Sequence, residues 1–369
     1  MRIDGIELRV VSLPLVSPFV TSFGSQSERI ALLIRVVADG VEGWGECVAL
    51  PEPVYSSEYV AGAVDVIERF LAPALMAEES ITAERVGEVL EPFVGHRIAK
   101  ASLEMALLDA QLRTAHQSFA AYLGVTKELV PSGVSVGIQP TIDELVTAVG
   151  GYLDEGYQRI KIKIRPGWDV EPVRALRSEY GAIPLQVDAN SAYTLDDVVV
   201  FQELDDFGLL LIEQPLYEDD IRLHSVLARM ISTPICLDES IVSARAAADA
   251  IALDAAQIIN IKPGRVGGYL EAVRIHDLAR SAGIPVWCGG MLETGIARGA
   301  NAALAGLPGF TLPGDISASA RFYREDVTEP FELENGYIRV PAEAGVARLP
   351  IPERLDECTV STRWIPRVS

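Results

Sequence analysis

Six residues between positions 161 and 262 have the types and spacing to move a proton beside a bound cation. RIKIKI carries Lys161 and Lys163, LQVDAN carries Asp188, LLLIEQP carries Glu213, PICLDES carries Asp238, and IINIKPGR carries Lys262. Each charge ends an apolar run. The steps 163→188, 188→213 and 213→238 are each 25 residues, and the last step to Lys262 is 24. Three carboxylates brought together without compensation repel, and at least one then takes up a proton. A hard divalent cation removes that conflict, and an all-oxygen set suits Mg2+ or Mn2+, with water and substrate completing the shell. The plainer alternative pairs each acid with a basic residue at the same rim.

A lysine on either side of such a cation could take a proton from one face of a carbon next to a carboxylate and return it on the other. Lys161 lies two residues before Lys163 and so shares its strand face, where its charge favours a neutral neighbour. Arg265, three residues past Lys262, stands in the same relation to that lysine. A single lysine is most often a surface side chain with a buried stem. Lysines set among isoleucines, as in RIKIKI and IINIKP, fit that description less well.

An interval of about 25 residues is what a strand, a crossover helix and two loops occupy. From Val134 strand candidates recur at 133–138, 159–164, 184–188, 209–213, 234–238, 257–261 and 284–288, with a weak one near 309–312. Amphipathic helical patterns lie between them, for example at 142–155, 169–180, 243–252 and 268–282. This is the alternation of a closed (β/α) barrel, whose chemistry sits at the C-terminal ends of its strands. Lys163 on strand two and Lys262 on strand six would then face each other, with the acids of strands three to five between. An open doubly wound sheet is the other solution, but no GxGxxG follows the first strand. GRVGG at 264–268 lacks the Lys-Ser/Thr of a phosphate loop.

Before the barrel, 3–12, 29–37 and 41–49 read as strands, the last two joined by Asp39-Gly40, and helical patterns follow at 57–72, 81–91 and 97–116. That order is an α+β module. After 320 the alternation stops, and FELENGYIRVP places Asn335-Gly336 between two short strands. We therefore divide the chain into a capping domain (1–127), a catalytic barrel (128–320) and a C-terminal segment (321–369) that returns to the cap.

The net charge of −21 excludes nucleic acid as a natural partner, since that binding needs a basic surface. No apolar run reaches membrane-spanning length, and MRIDGIELRV is not a signal peptide. Cys47, Cys236, Cys288 and Cys358 lie far apart and read as reduced thiols. These features point to a cytoplasmic protein acting on a small molecule.

Taken in order, K-x-K (Lys161, Lys163), VDAN, IEQP, LDES, NIKPGRVGG, VWCGGMLETGIAR (286–298) and LPGDISAS (312–319) resemble the muconate-lactonising branch of the enolase superfamily. Within it they are most similar to the N-succinylamino acid racemase / o-succinylbenzoate synthase family. Lysine bases with metal-stabilised enolates are known chemistry of that superfamily, so this part of the reading is not independent of the resemblance. The resemblance implies a modified TIM barrel, (β/α)7β, under an α+β cap. It implies Lys163 and Lys262 as the acid/base pair with Lys161 beside them, and Asp188, Glu213 and Asp238 as ligands of Mg2+ (or Mn2+ or Co2+). Asn190, Glu239 and Arg265 would support them.

Two cap loops would close over the substrate: SPFVTSFGSQ (17–26) with Phe19 and Phe23, and ALPEPVYSSE (49–58) with Leu50 and Tyr55. These side chains could equally be ordinary cap core. Ser135, the backbone at Gly290, Met291 and Leu292, and Phe322 would meet an acyl or succinyl group. The implied substrate is a small carboxylate, an N-acyl amino acid or a succinylbenzoate precursor, and the implied assembly is a homo-oligomer, often an octamer. AGVARLP departs from the family pattern by having Ala347 where another glycine is usual. Rival activities on this fold are a dedicated o-succinylbenzoate synthase, a dipeptide epimerase and a muconate cycloisomerase. Outside it stand a metal-independent Schiff-base lyase and an inactive barrel kept as a binding scaffold.

Overall fold

The structure, a computed structural model, describes residues 1–346 and 348–367; Ala347 lies outside them. Three antiparallel strands open the chain: β1 (Ile3–Thr21), β2 (Gly24–Ala38) and β3 (Val41–Cys47). Asp39 and Gly40 both have positive φ, 50° and 75°, as the tight β2–β3 turn requires. The stretch read as a loop at 17–26 is instead largely the far end of the β1–β2 hairpin. Phe19 pairs with Gln26, Val20 with Ser25 and Thr21 with Gly24. β-branched Val20 and Thr21 favour extended backbone, so the ladder continues past its irregularity after Pro14.

One face of this sheet lies against the helix Arg97–Thr114, which is buried on nearly every side. Gly43 and Gly45 allow that approach. A Cβ at either would stand 2.1 Å from Ala106 O or 2.2 Å from Ser102 O, so only glycine fits.

Seven parallel strands follow: β5 (Gly133–Val136), β6 (Arg159–Lys163), β7 (Leu185–Asp188), β8 (Ile212–Glu213), β9 (Ile235–Leu237), β10 (Ile258–Ile261) and β11 (Val286–Cys288), preceded by the short β4 (Leu129–Pro131). They are hydrogen-bonded in sequence order from β5 to β11. Thr141, Asp169, Asp220, Ser243 and Thr294 cap the N-termini of the helices that follow several of them. The eighth strand expected near 309–312 does not form as a strand. The segment closes the barrel by single parallel bridges, Phe310 to Val286 and Gly314 to Ser132, with Gly133 N–H donating to Gly314 O at 2.7 Å. Pro313 has no N–H to give to a ladder, and glycines on either side weaken any strand, so a continuous edge is denied here.

After the barrel, β12 (Leu333–Glu334) and β13 (Tyr337–Arg339) turn on Asn335-Gly336, and β13 pairs with β4. The chain then returns to the cap, where β14 (Thr359–Pro366) pairs antiparallel with β1. Two buried cap carboxylates fasten cap to barrel at helix N-termini. Glu46 of β3 accepts from Thr294 N–H, Thr294 Oγ1 and Ala297 N–H, and Glu104 accepts from Leu270 N–H at 3.1 Å. Orphan amide donors at a helix start are natural partners for a carboxylate. Among the described residues no helix is long and apolar enough to cross a membrane.

Candidate active site

Lys163, Asp188 and Glu213 are the last residues of β6, β7 and β8, and they sit side by side across the parallel ladder. Asp238 and Lys262 follow immediately after β9 and β10. β6 and β10 stand four strands apart in the sheet, and Lys163 and Lys262 line one small cavity of about 50 Å³ together with Lys161, Ser135, Gly290, Leu292, Phe19 and Phe322. All six charged side chains are nearly inaccessible, from 0 to 7% exposed. Strand ends put five of them there, because an apolar strand that reaches its end at the barrel mouth must turn that residue inward or out to solvent, and Lys161 shares the strand face of Lys163 two residues earlier.

The charges are interleaved. Lys163 Nζ donates to Asp188 Oδ2 at 2.6 Å and to Asn190 Oδ1 at 2.8 Å. Lys262 Nζ donates to Asp238 Oδ2 at 2.7 Å and to the Tyr55 hydroxyl at 3.1 Å. Arg265 also pairs with Asp238, and its guanidinium is fixed by Ile241 O and Asn260 O. Lys161 is encased by carboxylates: Asp315 at 2.6 Å, Glu213 at 2.9 Å and Asp188 at 3.2 Å. Trp287 lies beneath it, the ammonium 4.8 Å from the ring centroid.

Burial tends to keep Asp188 protonated, but the ammonium groups of Lys163 and Lys161 outweigh it and hold this carboxyl below its ordinary range. Glu213 goes the other way, raised by burial and by the charge of Asp188. Glu239 is raised to about 7, by burial first and then by Asp188. Burial works against the Lys262 ammonium, yet the Tyr55 oxygen and the carboxylates of Glu239, Glu213 and Asp188 leave it above the usual lysine range. The same balance, with Asp315 the leading carboxylate, raises Lys161. Lys262 is raised, not lowered as its spacing from Arg265 led us to expect, and Arg265 pairs with Asp238.

Among the described residues no three His, Cys, Asp or Glu side chains stand close enough, as placed, to hold a metal ion. The acids here are turned to the ammonium groups. The donor set nevertheless fits a hard cation: carboxylates stand at or just past the ends of three successive strands, Glu213 is pushed toward protonation by burial and by Asp188, and Glu239 Oε2 is buried without a hydrogen-bond partner. Asn190 joins these groups, its amide donating to Glu239 Oε1 at 2.9 Å.

The expected pocket residues divide. Phe19 and Phe322 meet edge to face, with centroids 5.9 Å apart, at the wall of the lysine cavity, where Ser135 Oγ is buried and unpaired. Tyr55 reaches Lys262 itself. Phe23 and Leu50 line a neighbouring groove with Gly24, Pro51 and Val54, although the Phe23 ring stays 6.3 Å from that of Tyr55. Met291 buries its side chain in the core of the cap, so only its backbone could face a ligand.

Four residues of the site, Asp315, Arg159, Asn260 and Glu293, escaped the sequence reading. Asp315, on the closing segment, bridges Lys161 and Arg159 Nη1, the latter at 2.8 Å. Asn260 donates to Glu213 Oε1 at 2.7 Å. Glu293 lines the cavity, held by Asn301. Asn260 had a usable signal, a polar residue two positions before Lys262 and so on the same face of β10.

Comparison with known proteins identifies the family. Residues 144–347 match the enolase C-terminal domain-like family, and residues 5–124 match the mandelate racemase / muconate lactonizing enzyme N-terminal domain. An N-succinylamino acid racemase of Amycolatopsis sp is 62% identical over 99% of this chain and 100% of its own. An o-succinylbenzoate synthase of Bacillus subtilis is 45% identical, with 94% of each chain covered. Among solved structures, an enolase-superfamily member from Listeria innocua superposes with a TM-score of 0.95 at 37% identity over the whole of both chains. A dipeptide epimerase from Cytophaga hutchinsonii, complexed with Mg and the dipeptide D-Ala-L-Val, shares the fold with a TM-score of 0.89 at 23% identity, over 99% of this chain and 100% of its own. Divalent metal is used across this superfamily. With both its cap and its barrel matched, the chain belongs to the mandelate racemase / muconate lactonizing enzyme family of the enolase superfamily.

Proposed function

We propose that this chain is an N-acylamino acid racemase acting on N-succinyl amino acids, and that the same site makes o-succinylbenzoate by dehydration. The observation that carries the reading is the pair of lysines on strands four apart, Lys163 and Lys262, opening on one cavity between buried acids. The racemase and synthase names of its relatives support the substrate class. We further place it in the cytoplasm as a homo-oligomer.

In this reading Asp188, Glu213 and Asp238 hold Mg2+, or Mn2+ or Co2+ in its place, and Asn190 and Glu239 steady them. When bound, the cation supplies positive charge to the substrate carboxylate and so makes the adjacent C–H more acidic. Lys163, released from Asp188, takes the α-proton on one face, and Lys262 delivers a proton to the other; exchanging the roles runs the opposite direction. For dehydration, a syn process, Lys163 acts as base and then as acid, while the Lys262 ammonium holds the negative charge that develops. Phe19 and Phe322 exclude water from the acyl chain, and Ser135 Oγ, with no partner of its own, is free to bond it.

The test is a pair of assays in deuterated buffer with added Mg2+. One follows α-deuterium uptake by both enantiomers of an N-succinyl amino acid, and the other follows dehydration of the synthase substrate. Uptake from both enantiomers is expected. If neither compound exchanges nor reacts, the assignment of function fails although the fold stands.

A further inference from the structure

Gln214 joins the loops that carry the proposed cation ligands. It follows Glu213 at the end of β8, is fully buried, and has a positive φ of 40°, which residues other than glycine seldom adopt. Pro215 comes next, and a residue before proline is normally held to extended backbone. Such a conformation persists only where its surroundings fix it. Here every polar group of the residue is engaged. Its N–H donates to Cys236 O of β9 at 2.9 Å, and its carbonyl accepts from Ser191 N–H, one position past Asn190, at 2.8 Å. The side-chain Oε1 accepts from Asp238 N–H at 3.0 Å and from Ser240 N–H at 3.2 Å. Nε2 donates to Ser240 Oγ at 2.8 Å and to Leu216 O at 3.2 Å.

A carboxamide has two N–H donors and two acceptor lone pairs, and this one uses all four. Turned over, it would set its NH2 group against two N–H donors. A glutamate would set oxygen against Leu216 O, and an apolar side chain would leave buried loop amides without an acceptor. Leu216 is anchored in turn, its N–H donating to His224 Nε2 at 3.1 Å. His224 Nδ1 lies 2.8 Å from Asp220 O, which can only accept, so the ring proton sits on Nδ1 and Nε2 is free to receive Leu216.

On the reading that Asp188, Glu213 and Asp238 hold a divalent cation, we propose that Gln214 is the positioning residue that sets the spacing of these three acids. Glu213 is its chain neighbour, the Asp238 backbone hangs on its amide, and the loop after Asp188 is tied to its carbonyl through Ser191. Its side chain holds backbone groups and a serine hydroxyl, so it acts on the acids through the loops that carry them. Mg2+ demands near-ideal octahedral geometry, so slack between these strand ends is felt as lost affinity.

Mn2+ titration of the full chain by calorimetry, with electron paramagnetic resonance spectra of the bound ion, tests this on the wild type, Gln214→Met and Ser240→Ala. Methionine keeps the length and removes all four side-chain bonds, while Ser240→Ala removes one acceptor. All are measured at a temperature where circular dichroism shows them folded. Gln214→Met is expected to bind Mn2+ about 10- to 100-fold more weakly, the usual loss when a group supporting metal ligands is removed, and to alter the spectrum of the bound ion. Ser240→Ala should shift both in the same direction by less. A Gln214→Met protein with a lower melting temperature but wild-type affinity and spectrum overturns the proposal and leaves the metal reading standing. Should that variant fail to fold, Ser240→Ala decides, and a wild-type affinity and spectrum there overturn the proposal. A wild type that binds no Mn2+ overturns both together.

Discussion

Lys163 Nζ lies 2.6 Å from Asp188 Oδ2, its direct neighbour across the parallel ladder, while Lys262 Nζ lies 2.7 Å from Asp238 Oδ2. Each base of the proposed pair is thus stored against one proposed metal ligand, and a cation held by those acids would compete with both amines for them. Replacing either lysine by alanine should reduce racemisation by about 10²- to 10⁴-fold, the usual contribution of a positioned acid or base. The two variants should differ in isotope exchange. Lys163→Ala is expected to lose α-deuterium uptake from one enantiomer only, and Lys262→Ala from the other. Loss of exchange from both enantiomers in a single variant would mean that the lysines do not divide the two faces.

Metal removal should silence the enzyme reversibly. Dialysis against EDTA is expected to abolish exchange, and Mg2+ or Mn2+ to restore it. Binding can be read without turnover: Glu213→Gln should weaken Mn2+ affinity in calorimetry. Asn260→Ala should weaken it less, because Glu213 keeps its second hydrogen bond, from Lys161. Activity that persists in EDTA, together with borohydride trapping of a substrate adduct, would instead favour Schiff-base chemistry.

Asp315 is the counter-ion of two buried cations. It accepts from Lys161 at 2.6 Å and from Arg159 at 2.8 Å, and those cations hold its carboxyl below the usual range although burial opposes it. Asp315→Ala takes the carboxylate from Arg159, leaves Lys161 with Glu213 and Asp188, and should cost about 3–5 kcal/mol of stability in urea unfolding, the range for breaking a buried pair from one side. Asp315→Asn, which keeps hydrogen-bond acceptance, should cost less. Equal, small losses in both would show that water replaces the carboxylate.

The positions of the five strand-end charges were legible because each repeat of the barrel spends nearly the same number of residues and turns its last polar residue to the mouth. Asp315 was not legible. It sits on a segment where Pro313 and two glycines suppress the strand, so no interval marks it, and its partner Arg159 opens a strand instead of ending one. The hairpin at 17–26 was misjudged for a related reason: Gly24 with Ser22 and Ser25 read as loop, while β-branched Val20 and Thr21 before them carried the ladder on. Glu46 and Glu104 were hidden differently. Each looks like a solvated charge in its own element, and only the packing of cap on barrel brings it to a helix N-terminus. The signal was present in SLEMALLDA, apolar on almost every helical face, where an acid must find a partner inside.

Those two carboxyls predict a pH dependence of stability. Burial raises Glu46 to about 7, with Glu293 adding to it, and raises Glu104 to about 8, against the hydrogen bonds from Leu270 and Tyr269 that favour its charge. A carboxyl whose pKa is higher folded than unfolded contributes stability fully present below the unfolded value of 4.5 and lost as pH rises through the folded value. The wild type should therefore lose thermal stability between about pH 5 and 8. Glu104→Gln removes one titrating group and should lose less over that window. Melting curves of the two proteins, compared as a difference at each pH, check this; parallel curves would show that Glu104 is ionised throughout.

Phe19 and Phe322 meet at the wall of the lysine cavity, one ring from the cap hairpin and the other from the segment after the barrel. If the pair selects the acyl chain, Phe19→Ala should lower kcat/KM for N-succinyl substrates relative to N-acetyl ones by about 10- to 200-fold, the span an apolar pocket can supply. Phe322→Ala should act in the same direction. The double variant should fall short of the sum by about 0.5–1.5 kcal/mol, because an edge-to-face contact is lost only once. Ordinary cap core would behave otherwise. Truncating it would lower the melting temperature and the rates on both substrates in proportion, leaving their ratio unchanged. The ratio, measured at a temperature where both variants are fully folded, is therefore the quantity that separates a substrate wall from packing.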